Sequence, residues 1–228
     1  MTPLEAIQAR HSVRRYLHQP LLSEIVSRLS EAVEECNRLG GLHIQLVTGE
    51  TKAFSGLMAY GQFSGVENYF VMAGLKAPGL DERIGYHGER LVLLAQSLGL
   101  NTCWAGLSYR RVSGVYELAQ GEKLTCMIAL GYGETQGKPS KSKSVVDVSN
   151  ADSYTPEWFL RGVEAALFAP TAINQQKFYF QYTGQSAEGK GRVLARRLFS
   201  PVGYTEMDLG IAKLHFEIGA GKDNFEWI

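Results

Sequence analysis

Residues 79–100 read GLDERIGYHGERLVLLAQSLGL, and the rest of the chain is arranged around them. The stretch predicts a helix that begins near Gly79–Asp81, runs to about Leu98 and stops at Gly99, because glycine readily ends helices. Apolar side chains lie on most sides of this helix, so we expect it to be buried in the core. At about 1.5 Å per residue it is long enough to cross a small domain.

Shorter helices and strands are predicted on both sides of this central helix. The first helix has Thr2 as its N-cap and Pro3 at its first position; the second has Ser23 as its cap and stops at Gly40-Gly41. Helices are predicted over 3–10, 21–39, 109–119, 156–168 and 204–218, with a further helical segment over 50–60. Strands are predicted over 42–47, 67–73, 102–105, 124–130 and 178–183. Residues 131–153, rich in Gly, Ser and Lys, read as a loop or linker.

The late elements resemble earlier ones, which suggests an internal duplication. Glu157–Ala165 carries Glu, Arg, Glu and Ala in register with Glu24–Ala32, and each helix leads to a strand that ends in Thr-Gly. Ile84-Gly-Tyr and Val202-Gly-Tyr each open a mostly apolar helix. A helix, a strand and a helix repeated in order favour duplication with a shorter second copy. Chance similarity between two amphipathic helices is the alternative.

Composition excludes several classes of protein. The 228 residues carry a formal net charge of zero, which argues against nucleic acid as a partner. The three cysteines are far apart, so we expect no disulfide framework, no zinc site and a cytoplasmic location. We see no signal peptide, and the longest apolar clusters are too short for a membrane span. The five histidines show no metal-ligand spacing, so we predict no metal.

Two clusters of cations could meet at one anion. Residues 9–16 read ARHSVRRY; if the helix continued, Arg10 and Arg14 would share a face and repel each other unless an anion lay between them. Arginine forks suit phosphate oxygens, and the Ser12 hydroxyl adds a donor. The linker supplies the second cluster, Lys138, Lys141 and Lys143. A solvated basic face and a flexible charged linker are the alternatives.

Two further stretches could contact a flat heterocycle. Residues 169–176 read APTAINQQ and present hydroxyl and amide groups that both donate and accept, although a simple turn would look the same. Residues 101–106 read NTCWAG, where Ala-Gly after Trp104 leaves peptide N–H groups open to a ligand. Trp104 could equally be a core aromatic, and Cys103 is predicted to be a buried structural thiol.

In this order the stretches resemble the FMN-dependent nitroreductase family. Its Arg-x-Ser-x-Arg/Lys motif matches Arg10-His-Ser-Val-Arg14, and its Pro-Ser-x-x-Asn-x-Gln loop resembles residues 170–176. Residues 85–106 resemble the family's central helix and the turn after it. Residues 125–134 and Lys141-Ser-Lys143 resemble its final core strand and phosphate-binding pair. The Pro-Ser-x-x-Asn loop normally follows the second helix, whereas here it follows the repeated helix near the C-terminus.

The resemblance implies an α+β fold with a mixed, mainly antiparallel sheet and one FMN per chain. Family members are usually homodimers with shared sites, so residues 151–228 would act as a built-in partner for residues 1–150 and give a pseudo-dimeric monomer. Further association into a homo-oligomer stays open. The implied cofactor-binding residues are Arg10, His11, Ser12, Arg14, Trp104, Ala105, Gly106, Lys141, Lys143, Pro170, Thr171, Asn174 and Gln176.

The implied activity is oxidoreduction, with NADH or NADPH as electron donor and a small molecule such as a nitroaromatic or quinone as acceptor. The flavin would carry the redox chemistry, and no catalytic side chain is assigned. Two alternatives remain at this point. One is a different flavin chemistry, such as flavin reduction or dehalogenation, and the other is a non-catalytic flavin-binding sensor or scaffold.

Overall fold

The computed structural model describes residues 1–56 and 62–228. Its helices are α1 (Pro3–Ala9), α2 (Ser23–Gly40), α3 (Leu80–Ser97), α4 (Val145–Val148), α5 (Glu157–Ala166) and α6 (Thr205–Ala220). Its strands are β1 (Gln45–Val47), β2 (Asn68–Leu75), β3 (Asn101–Ala105), β4 (Glu122–Gly131), β5 (Phe178–Gln185), β6 (Gly191–Arg197) and β7 (Phe225–Trp227). No helix in these described ranges is both long and apolar enough to cross a membrane.

The strands form two sheets, and the predicted α+β fold is confirmed. One sheet has the order β1-β2-β4-β3 with antiparallel neighbours throughout. The other has the order β5-β6-β7, in which β5 and β6 are antiparallel and β6 and β7 are parallel. Strands β2 and β4 are almost entirely buried, so the first sheet lies in the core between layers of side chains.

Helix α3 is largely buried, as its apolar sequence predicts, and it packs against α6. Gly85 and Gly210 are each the sixth residue of their helix. A Cβ at Gly85 would collide with the Met207 carbonyl, and one at Gly210 would collide with the Glu82 carbonyl. Each glycine therefore faces the backbone of the opposite helix, and the two helices approach as closely as backbones allow.

The duplication stays a prediction, but one of its sequence matches is wrong. Ile84-Gly-Tyr lies inside α3, whereas Val202-Gly-Tyr precedes α6, with Tyr204 at its N-cap. Gly85 and Gly210 occupy the same position in α3 and α6. The order α2-β1-β2-α3-β3 in residues 1–150 matches the order α5-β5-β6-α6-β7 in residues 151–228, which is compatible with a duplication.

Most predicted elements are confirmed to within two residues at each end; one predicted cap, one strand and one helix are not. Ser23 is not a cap, because Leu22 holds that position and Ser23 is the first helical residue. Strand β1 contains only the last part of the predicted strand 42–47. Residues 109–119 form turns instead of a helix, because Gly114 has φ +76° and the Glu117 N–H donates to the Gln45 side chain at 2.9 Å.

Other differences concern short or irregular segments. The predicted helical segment 50–60 lies partly outside the described residues, and its described part, 50–56, forms bends and turns. Strands β6 and β7 were not predicted, and the predicted loop or linker 131–153 contains the short helix α4. The predicted cap at Thr2 is confirmed and is stronger than expected: the Thr2 side chain accepts from Glu5 N–H while the Glu5 carboxylate accepts from Thr2 N–H.

Candidate functional site

A cleft of about 1020 Å³ lies between the two halves of the chain. The arginine segment 10–14 forms one wall, the linker 137–143 forms the floor, and residues 167–174 of the second half form the other wall. Of the predicted site residues, the cleft brings together Arg10, His11, Ser12, Arg14, Lys141, Lys143, Pro170, Thr171 and Asn174. Segments more than 150 residues apart in sequence therefore meet at one site.

The arginine segment is extended, not helical. Helix α1 ends at Ala9, and Arg10 caps it with an extended backbone. Ser12 forms an isolated parallel β-bridge with Thr102 of β3, at the edge of the first sheet. In an extended chain alternate side chains project to the same side, so Arg10, Ser12 and Arg14 share one face. Arg10 and Arg14 thus share a face as expected, but the reason differs. Side chains of an extended chain repeat every two residues, whereas the prediction assumed a helix, in which they repeat about every four.

Two polar contacts and a glycine bring the linker against this segment. The Asn101 side chain accepts from Gly133 N–H and donates to Gln136, both at 3.0 Å, which fixes the beginning of the linker. Gly137 has φ +78°, and a Cβ there would lie 2.6 Å from the His11 Cβ. Only glycine combines this conformation with so close an approach.

The loop 167–176 is tied to the linker through Gln176. This side chain is 2% exposed and donates to the Leu167 carbonyl at 2.8 Å. Its Oε1 accepts from Lys143 N–H at 2.8 Å, while Lys143 Nζ donates to the Gln176 carbonyl at 2.8 Å. Asn174 adds a hydrogen bond of 2.6 Å from its amide to the Lys141 carbonyl. Gln176 therefore does not line the cleft: its polar groups are used to position the floor and the wall.

The same loop has a strained backbone. Ile173, Asn174 and Gln176 have φ values of +47°, +58° and +44°, a region that costs non-glycine residues about 1–3 kcal/mol each. The carboxylate of Asp208, in the first turn of α6, accepts from Ala172 N–H at 3.0 Å and from the Gln175 amide at 2.7 Å. Burial raises the pKa of Asp208 to about 6 against the opposing effect of these hydrogen bonds.

The cleft is electropositive. No carboxylate of the described residues lies within 4 Å of the cationic groups of Arg14, Lys138, Lys141 or Lys143, although Glu164 lies at the rim. Burial and the neighbouring Arg10 charge lower the pKa of His11. Burial, followed by the charge of Lys177, lowers the pKa of Lys143. Unpaired cations around one concave surface are suited to bind an anion.

Residues 104–106, which were predicted to contact a ligand, do not line this cleft. The indole of Trp104 donates to the Glu89 carboxylate at 3.0 Å, and a Cβ at Gly106 would lie 2.6 Å from the Tyr204 hydroxyl. Neither these residues nor Ala105 line the cleft. Cys103 is a free, buried thiol as expected, and burial raises its pKa.

Sequence reasoning missed three polar residues at the site: Glu89, Asp208 and His215. Glu89 and His215 are fully buried and hydrogen-bonded to each other at 2.9 Å, directly behind Arg10. One signal was available, because a carboxylate on a helix that is apolar on most sides needs partners in the core. Those partners come from distant segments, so the sequence could not name them. Within the described residues no cluster of ligating side chains could hold a metal ion.

Comparisons with known proteins agree with this architecture. A family model described as "Putative TM nitroreductase" matches residues 3–220. A nitroreductase structure from Thermotoga maritima is 23% identical, with a TM-score of 0.64 over 98% of this chain and 85% of that one. A nitroreductase from Desulfovibrio desulfuricans in complex with FMN is 16% identical, with a TM-score of 0.53 over 67% of this chain and 98% of that one.

The NfrA1 nitroreductase of B. subtilis is 15% identical and has a TM-score of 0.52, with 68% of this chain and 74% of that chain covered. No curated protein sequence matches. At these identities the solved structures establish the fold, while the family model covers nearly the whole chain. The chain therefore belongs to the nitroreductase family that this model describes, as its motifs suggested.

Proposed function

We propose that the protein is an FMN-dependent oxidoreductase of nitroreductase type. It takes hydride from NADH or NADPH and passes electrons to a nitroaromatic, a quinone or a related small molecule. One observation carries the proposal: the arginine segment, the linker lysines and the loop 167–174 converge on one cleft in a chain of this family. The relative from D. desulfuricans, crystallised with FMN, supports the choice of cofactor.

The donors in the cleft fit the phosphate end of FMN. A phosphate monoester carries close to two negative charges and offers oxygens that arginine and lysine bind well. Arg14 and Lys141 are exposed cations without a carboxylate partner among the described residues, and the exposed Ser12 hydroxyl lies between Arg10 and Arg14. Gly137 lets the linker backbone pack closely against His11 beside them.

Each residue of the cleft then has one defined role in binding FMN. Arg10, Arg14, Lys141 and Ser12 hold the phosphate and ribityl end, and each charge-assisted hydrogen bond contributes about 1.5–3 kcal/mol. Lys143 adds charge from a half-buried position fixed by Gln176. Pro170, Thr171 and Asn174 face the cleft from the second half and provide a wall for the ring. FMN, when bound, supplies the hydride and electron transfer, so the protein contributes binding and orientation.

The two halves, 1–150 and 151–228, act in this proposal as one pseudo-dimeric unit. Residues 10–14 belong to the first half and residues 167–174 to the second, so neither half has both walls of the cleft. The equivalent positions of Gly85 and Gly210 at the helix crossing support a duplicated origin. We infer one FMN site per chain.

The proposal includes a cytoplasmic location. Cys36, Cys103 and Cys126 are all free and buried. Chains that use cysteine as a core residue in place of disulfides are typical of reducing compartments.

Absorption spectroscopy of the purified protein tests the proposal first. We expect a flavin spectrum, or its recovery on adding FMN, at a stoichiometry near one per chain, and loss of that spectrum when NADH or NADPH is added without air. A protein that neither contains FMN nor takes it up would contradict the proposal. Turnover with a nitroaromatic and a quinone would then identify the acceptor class.

A non-catalytic flavin-binding protein is the second candidate, and one observation favours it. Tyr204 lies against Gly106, where the resemblance places the backbone next to the reactive edge of the flavin. If that edge is covered, FMN would bind without being reduced. FMN-loaded protein that resists both nicotinamide donors in the absence of air would select this candidate over the enzyme.

A further inference from the structure

A buried carboxylate behind the cleft joins four segments of the chain. Glu89 of α3 is 0% exposed. One of its oxygens accepts from the Trp104 indole at 3.0 Å, and the other contacts His215 of α6 at 2.9 Å. The second oxygen also lies 3.7 Å from the Nε of Arg10, at the start of the arginine segment. Glu89 of α3 therefore contacts β3 through Trp104, α6 through His215 and the cleft through Arg10.

His215 fixes one side of the Glu89 carboxylate. Its Nε2 faces that carboxylate and its Nδ1 faces the Ala165 carbonyl at 3.2 Å. The imidazole is fully buried, so it connects the carboxylate on α3 to the backbone of α5 without access to solvent.

Arg10 depends on the Glu89 carboxylate for its position. Its side chain is 8% exposed, it donates weakly to the Phe168 carbonyl at 3.4 Å, and its Nε has no hydrogen-bond partner among the described residues. A buried guanidinium needs a counter-charge, and Glu89 is the carboxylate within 4 Å. The residue still lines the cleft, so its charge is available to an anion that binds there.

We propose that Glu89 is a positioning residue that holds the Arg10 guanidinium at the back of the cleft for the phosphate of FMN. This inference rests on the proposed function, because it assumes that FMN occupies the cleft. Glu89 does not touch the ligand. It acts by keeping Arg10 in one place before the ligand arrives, which lowers the entropy cost of binding.

Glu89→Gln removes the charge of the carboxylate and keeps the shape of the side chain. The amide oxygen can still accept from the Trp104 indole, as the carboxylate does. Arg10 loses its counter-charge and its fixed position.

A double-mutant cycle on FMN affinity tests the inference. FMN dissociation constants are measured by flavin fluorescence for the wild type, E89Q, R10Q and E89Q/R10Q. We expect E89Q to weaken binding about tenfold in the wild-type background and less than twofold in the R10Q background, because its effect passes through Arg10. Equal weakening in both backgrounds, or none in either, would overturn the inference. Failure of the wild type to bind FMN would instead overturn the proposed function, and this inference with it.

Glu82→Gln is the matched control. Glu82 also lies on α3 and pairs with α6, through Lys213 at 2.7 Å, but it is remote from the cleft lining. E82Q should leave FMN affinity unchanged. If E89Q does not fold, ¹⁵Nε–¹H spectra of the wild type decide: we expect a slowly exchanging Arg10 signal that disappears in R10Q. A rapidly exchanging Arg10 signal would show that nothing holds the side chain, and the inference would fail.

Discussion

Side chains that the sequence suggests as ligand contacts differ in what they do in the structure. Gln176 was predicted to bond a flavin ring, yet its amide is buried and holds Leu167 and Lys143. Arg14 and Lys141, by contrast, reach the cleft as exposed cations. Residue type and spacing were enough to predict the cations. The role of an amide depends on which distant backbone groups surround it, and these were known only from the fold.

Arg14→Ala should weaken FMN binding about tenfold or more, because one charge-assisted contact with phosphate is worth about 1.5–3 kcal/mol. Riboflavin lacks the phosphate and is the matched control ligand, so its affinity should be unchanged. Calorimetric titration of both ligands at two salt concentrations checks this, and the effect on FMN should shrink as salt rises. Equal losses for both ligands would place Arg14 away from the phosphate.

Asp208 should make the stability of the fold depend on pH. Its pKa is about 6 in the folded chain against an ordinary 3.8, so the folded state binds the proton more tightly than the unfolded state. The stability it gives is present at low pH and is lost as the pH rises through about 6. Each unit of pKa corresponds to about 1.4 kcal/mol, which makes the loss about 3 kcal/mol.

The check is urea unfolding of the wild type and Asp208→Asn from pH 4 to pH 7. The free energy of unfolding of the wild type should fall by about 2 kcal/mol relative to the variant over this range, because part of the total loss lies below pH 4. Subtracting the free energy of unfolding of Asp208→Asn at each pH removes the contribution of the other titratable groups. Parallel curves would show that Asp208 titrates normally.

At the scale of elements, the central helix was predictable and the strained turn was not. An apolar run ended by Gly99 specifies α3 through local rules. The positive φ values at Ile173 and Gln176 have no local sequence signal, since isoleucine and glutamine avoid that region. These φ values are held by hydrogen bonds that Ala172 N–H donates to the Asp208 carboxylate and Gln176 N–H donates to the Thr171 hydroxyl. Strands β6 and β7 were missed because one carries three arginines and the other has only three residues.

Ile173→Gly should relieve part of the strain in this turn. Ile173 is 79% exposed, so little burial is lost, while glycine adopts φ +47° freely. We expect the free energy of unfolding to rise by about 1 kcal/mol, measured by urea denaturation. Ile173→Ala keeps the Cβ and serves as the control, with a smaller gain. A lower free energy of unfolding in Ile173→Gly would show that the backbone at this position is not strained.

The crossing of α3 and α6 should not tolerate a methyl group. Gly85→Ala and Gly210→Ala each place a Cβ against a carbonyl of the other helix, and the backbones must separate. We expect each to lower the free energy of unfolding by about 3 kcal/mol. Ser97→Ala, at an exposed position at the end of α3, is the control and should change it by less than about 0.5 kcal/mol. Thermal denaturation measures all three.

At the scale of the molecule, the architecture and the position of the site were largely predictable. The motifs at 10–14, 141–143 and 170–174 were expected to meet, and they line one cleft. The buried group of Glu89 and His215 was not predictable, because their contact joins α3 to α6 over 126 residues. Such a contact depends on how the two helices cross, which no local pattern specifies.

Both walls of the cleft belong to the same chain, and this has a consequence for assembly. A site shared by two subunits falls apart on dilution, because its formation is bimolecular. Here the segment between α4 and α5 keeps residues 10–14 and 167–174 at a high effective concentration whatever the amount of protein. Refolding of the cleft should therefore follow first-order kinetics, and the protein should keep its ligand at nanomolar chain concentrations where a dissociable dimer would release it.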